Sequence, residues 1–129
     1  MRAPADDGSV CSRPVSVNPL FQVRHESRDG GVIVIASGEI DLATSPQLRD
    51  ALLAPETRAA SVVLDLREVT FIDSSGLGVI VGQQKRAQEH DEQFAVAIGG
   101  AAAVRRILEL SGLVKVLDIV KDPQERLPA

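Results

Sequence analysis

A chain of 129 residues with 44% apolar content is long enough for one ordinary core. It holds three Phe and neither Trp nor Tyr, so the core must be aliphatic, and aromatic platforms for stacking single-stranded nucleic acid are excluded. A formal net charge of −4 without a long basic run argues against a phosphate-backbone binder, and a single cysteine, Cys11, excludes an intramolecular disulfide or thiolate cluster.

Met1 to Pro19 mixes Pro4, Pro14 and Pro19 with Asp6, Asp7, Gly8 and Ser9. That composition predicts a flexible N-terminal arm, 1–19, and it lacks the apolar centre of a signal peptide. The longest apolar runs are too short to span a membrane. A cytoplasmic protein is expected. The short flanks further suggest a free-standing one.

Phe21, Val23 and His25 alternate with polar neighbours and predict a half-buried strand. Asp29-Gly30-Gly31 is a turn signal, and the apolar run Val32 to Ala36 completes a hairpin. Gly38-Glu39-Ile40-Asp41 marks the strand exit. Ser45 as N-cap and Pro46 as first helical residue predict a helix with Leu48 and Leu52 on one face, closed near Pro55. Val62-Val63-Leu64-Asp65-Leu66 reads as a central strand, followed by a loop with Phe71 and Ile72 that leads to Asp73.

From Ser75 the period becomes helical, with Leu77, Ile80, Val81 and Gln84 on one face. Ala95 to Ile98 is a further strand and Gly99-Gly100 a turn. Ala101 starts a helix whose inner face holds Val104, Ile107 and Leu108, and Gly112 is its C-cap glycine. Val116 to Val120 is a last short strand. Asp122 to Ala129, with Pro123 and Pro128, reads as a tail. The prediction is one α/β domain, 20–120, between the arm and a tail, 121–129. Its order is β-β-α-β-α-β-α-β, with helices packed on a mixed, mainly parallel sheet.

The junction at Asp73, Ser74 and Ser75 concentrates the chemistry. The first N–H groups of a helix lack intrahelical acceptors, and together with the helix dipole they favour an anion. Either serine can act as N-cap, and a phosphate on Ser74 would meet those donors. Gly76 and Gly78 each cost about 0.5–1 kcal/mol relative to alanine. Two of them in one first turn predict close approach by another backbone or molecule, with Leu77 and Val79 alongside. On residue types alone, a plain capped turn is the commoner explanation of Asp-Ser-Ser-Gly.

Phe71-Ile72-Asp73-Ser74-Ser75-Gly76-Leu77-Gly78-Val79-Ile80 resembles the signature of the STAS domain, and more narrowly that of the bacterial anti-sigma factor antagonists. Gly38-Glu39-Ile40-Asp41, Val63-Leu64-Asp65-Leu66 and Leu110-Ser111-Gly112-Leu113 match in the same order, over about residues 20 to 120. The resemblance implies a STAS fold and a protein that binds an anti-sigma factor that is also a serine kinase. Binding frees the sigma factor. The kinase then phosphorylates the serine directly after the motif aspartate, here Ser74, and a separate serine phosphatase resets the protein. Asp41, Asp73, Ser74, Ser75, Gly76, Leu77 and Gly78 form the implied partner-binding set. The alternative within the same domain family is a sensory module for a small ligand such as a nucleotide or lipid.

Other chemistry is poorly supported. Ser74 does not stand in Gly-x-Ser-x-Gly, and His25 and His90 are scattered. Neither histidine forms metal-ligand spacing with Cys11. Gly99-Gly100 lacks the lysine of a P-loop, and Lys85-Arg86 reads as a solvated helix face. No catalytic residue, metal site or cofactor is predicted. The chain reads as a regulator, not an enzyme, with no direct nucleic-acid or membrane partner.

Overall fold

Five strands form one sheet in the computed structural model, which describes residues 20–127. They are β1 (Phe21–Arg28), β2 (Gly31–Ile40), β3 (Ser61–Ile72), β4 (Gln93–Ala97) and β5 (Asp118–Val120), lying side by side in that order. The helices are α1 (Ser45–Leu53), α2 (Ser74–Glu89) and α3 (Ala102–Ser111). The predicted α/β order is the observed one. The expected N-terminal arm, 1–19, lies outside the described residues.

β1 and β2 are antiparallel, with Arg28 opposite Gly31 across the Asp29-Gly30 turn. Gly30 has φ +88°, which only glycine adopts without strain. All other strand pairs are parallel. Alternation along the strands sorts side chains onto two faces. Val34, Leu64 and Val96 face the helices and pack with Leu48, Ile80, Val104 and Leu108 in one cluster. Ile33, Val63, Ala95, Ala97 and Val120 face the other way.

That second face explains a correction. Residues 121–127, expected as part of a tail, close onto it. Leu127 is 3% exposed and joins the second cluster. Pro123–Glu125 form one helical turn, with a capping box between Asp122 and Glu125. Arg67 grips buried Asp65 with two bonds of 2.9 Å and reaches Asp122 at 3.6 Å, tying the segment down. Pro123, which suggested a tail, instead starts a capped turn.

β3 also runs further than expected, because Phe71 and Ile72 are paired with Glu39 and Ile40. Two register shifts, between Ile35 and Ser37 and between Gly38 and Glu39, each leave an extra residue on β3. Such bulges break the inward–outward alternation, so this stretch reads as a loop in the sequence. They bend the strand without ending it. At Gly38 (φ +98°) a Cβ would stand 1.7 Å from the Leu20 carbonyl oxygen, so only glycine fits beside the incoming chain.

Two helix assignments shift by one residue. The N-cap of α1 is Thr44, with Ser45 its first helical residue. Thr44 is wholly buried; its hydroxyl donates to the Glu39 carbonyl and accepts from the Asp41 N–H, both at 2.9 Å. The buried face of α2 is Gly76, Ile80, Gln83 and Ala87, where the periodicity predicted Leu77, Ile80, Val81 and Gln84. The rotation follows from Gly76, whose missing side chain lets the helix settle on the sheet.

Candidate functional site

The parallel strands β2 and β3 end together, where the Asp73 N–H donates to the Ile40 carbonyl at 3.1 Å. This puts Asp41 and Asp73 at adjacent strand ends on the carboxyl edge of the sheet, the edge where open α/β sheets present their sites. Each aspartate organises the turn behind it. Asp41 Oδ1 accepts from the backbone N–H groups of Ala43 and Thr44, at 2.9 and 3.0 Å. Asp73 is the N-cap of α2, a role that the sequence left open to either serine.

Asp73 Oδ1 accepts from the Ser75 N–H at 2.9 Å, from the Gly76 N–H at 3.4 Å and from the Ser75 hydroxyl. These bonds favour the ionised carboxylate. The Ser75 hydroxyl above all, with the Gly76 and Ser75 N–H groups, holds its pKa below the usual aspartate value. The site therefore carries a fixed negative charge beside the serines.

The two serines differ. Ser75 is half-buried and its hydroxyl is committed to Asp73. Ser74, the first residue of α2, is exposed, and its hydroxyl makes no hydrogen bond among the described residues. The two glycines differ as well. A Cβ on Gly76 would stand 2.6 Å from Ile40 Cγ2 and 2.7 Å from Ile72 Cγ1. The close approach expected at this glycine, by another backbone or molecule, is made by side chains of the protein's own core. Gly78 is exposed, with nothing within 4 Å of a Cβ position. Leu77 is half-buried against the core.

Two apolar features flank this turn. A groove of about 390 Å³ runs between α1 and α2, from Ser75 and Gly78 to Gln83 and Arg86. A second, of about 220 Å³, lies between the end of β3 and α3, lined by Phe71, Ile107 and Leu110. Leu42, Phe71 and Leu110 are 78%, 48% and 72% exposed. Sequence reasoning held Phe71 and Leu110 only as members of matching motifs, left both out of the partner-binding set, and missed Leu42. The available signal was an apolar side chain outside every periodic face, as with Leu42 in the β2–α1 turn and Leu110 on the outer side of α3. Arg86, expected on a solvated face, instead turns inward and donates to the Leu52 carbonyl at 3.0 Å.

The histidines stand apart from this chemistry. His25 Nε2 lies 3.2 Å from the Ala51 carbonyl, so it is the protonated nitrogen and tethers β1 to α1. Among the described residues no group of three or more His, Cys, Asp or Glu could hold a metal ion. No helix among them is long and apolar enough to cross a membrane.

Known proteins share this architecture. The STAS domain family model matches residues 22–125. The Anti-sigma F factor antagonist of Paenibacillus polymyxa is 36% identical over 101 residues, 77% of this chain and 86% of its own. The solved structure of an anti-sigma factor antagonist from Mycobacterium paratuberculosis has a TM-score of 0.75 at 29% identity, covering 86% of this chain and 94% of that one. The Bacillus cell fate determinant SpoIIAA, solved in its phosphorylated form, shares the fold at a TM-score of 0.56 and 20% identity, over 81% of this chain and 94% of its own. The chain belongs to the STAS domain family and groups there with the anti-sigma factor antagonists.

Proposed function

We propose that this chain binds an anti-sigma factor that is also a serine kinase, frees the sigma factor, and is switched off when that kinase phosphorylates Ser74. One observation carries the reading. At the start of α2 the Ser75 hydroxyl is taken by Asp73, while the Ser74 hydroxyl stands exposed and unengaged. The names of the relatives support the antagonist role.

The physics of the switch is local. Phosphorylation adds about −1.5 to −2 charges and three strong acceptors. The new charge joins Asp73, with Asp41 on the neighbouring strand end. A partner surface that fits a neutral hydroxyl then meets a bulky dianion among carboxylates. Repulsion and desolvation of about 1–3 kcal/mol weaken binding by roughly 5- to 150-fold. The fold itself tolerates the change, because Ser74 is exposed and the positive end of the α2 dipole favours an anion there.

The docking surface comprises Asp41, Asp73, Ser74, Ser75 and Gly78, with Gly76 and Leu77 setting the turn from behind. Leu42, Phe71 and Leu110 form its apolar rim. ATP belongs to the kinase, a separate serine phosphatase restores the hydroxyl, and this chain performs no catalysis of its own. The reading places it in the bacterial cytoplasm, where sigma factors act. A release assay tests it: added to a purified anti-sigma kinase–sigma complex, the unmodified chain displaces sigma, and chain phosphorylated beforehand does not. Failure of the unmodified chain to displace sigma from any such kinase of its genome overturns the reading.

A further inference from the structure

We infer that the groove between α1 and α2 seats a helix of the partner that presents a carboxylate flanked by apolar side chains. This rests on the antagonist reading and names the chemistry that the kinase must bring to it.

Several donors that line the groove find no acceptor among the described residues. Gln83 is only 5% exposed, and its Oε1 accepts from Arg86 Nη2, yet its Nε2 donates to no acceptor among the described residues. Arg86 uses Nη2 alone, toward Gln83 and the Leu52 carbonyl, leaving Nε and Nη1 without acceptors. Arg49 makes only a 3.9 Å approach to its neighbour Asp50. Among the described residues no aspartate or glutamate lines the groove. Donors and positive charge therefore converge where none of the described residues offers a further acceptor. A carboxylate, which accepts several N–H bonds and pairs with guanidinium, satisfies both.

The shape points to a helix. Gly78 and Gly82 are four residues apart on one face of α2, each with nothing within 4 Å of a Cβ position. Small residues at that spacing let another helix approach backbone to backbone. Leu53 is half exposed on the facing side of the groove and Val79 is half-buried beside Gly78, giving apolar contact around the polar centre. The groove opens at Ser75 and Gly78, in the same turn as Ser74. A helix seated there crosses the phosphorylation point, so one occupant is held by the groove and expelled by the phosphate.

The test measures binding of purified anti-sigma serine kinases of the same genome to the wild type, Gly82→Leu and Arg49→Glu. Gly82→Leu fills the groove from a position with free space, away from Ser74. Arg49→Glu reverses an exposed charge and keeps the test decisive should the leucine disturb α2. Each variant is expected to bind at least tenfold more weakly with an unchanged melting temperature, and to be phosphorylated more slowly at Ser74. Wild-type affinity in both variants, with the wild type binding and being phosphorylated, overturns the groove and leaves the antagonist reading standing. A wild type that no kinase binds or phosphorylates overturns both.

Discussion

Asp73 and Ser75 form a closed local unit: one carboxylate oxygen receives both the backbone N–H and the hydroxyl of Ser75. This pairing starts α2, fixes a negative charge at its N-terminus and commits the Ser75 hydroxyl. Ser74, between the two, is left as the available hydroxyl.

Asp73→Ala is expected to lower stability by about 1 kcal/mol, the usual cost of losing an N-cap. Urea denaturation at neutral pH measures it. The same change releases the Ser75 hydroxyl, so phosphorylation by the kinase should spread to both serines.

The depressed pKa of Asp73 sets the sign of a pH effect. A carboxylate with a folded-state pKa below its unfolded one stabilises the fold above the unfolded value, and that contribution is lost as pH falls through the folded one. Asp73→Asn should therefore flatten the acid limb of the stability curve relative to wild type, below about pH 4. An unaltered acid limb would show that these bonds contribute nothing to stability.

Gly76 and Gly78 should respond in opposite directions. Gly76→Ala forces a methyl against Ile40 and Ile72 and should destabilise by about 1–3 kcal/mol. Gly78→Ala enters open space and should be neutral or stabilise by about 0.5–1 kcal/mol. Chemical denaturation midpoints separate the two.

Leu127→Ala removes a side chain that closes the second face of the sheet over Val63, Ala95 and Val120. A loss of about 2–3 kcal/mol is expected, with a clear fall in melting temperature. A dispensable tail would show no change.

Most of the architecture was legible because strand and helix periods are clean in the middle of the chain. Val62 to Leu66 is buried throughout, as its β-branched run indicates, and Gly112 ends α3 with φ +79°. Misreadings arose where one residue's role depends on a distant neighbour. Phe71 and Ile72 belong to a strand only because Glu39 and Ile40 pair with them across bulges. Leu127 is core only because the helices all cover the opposite face. At the site, the motif located the junction but not its internal division. Which residue caps, which hydroxyl is free and which glycine faces the core are properties of side-chain geometry, as is the α1–α2 groove.

Two substitutions separate recognition from switching. Ser74→Ala should stay folded, bind the kinase with near wild-type affinity and resist inactivation. Ser74→Asp should bind several-fold more weakly, since one carboxylate carries less charge than phosphate. Titration calorimetry against the kinase measures both.

The most direct measurement is mass mapping of the phosphate after incubation with an anti-sigma kinase and ATP. One phosphate on Ser74, with loss of kinase binding, is the predicted result. Phosphate on Ser75, or phosphate on Ser74 with binding unchanged, would contradict it.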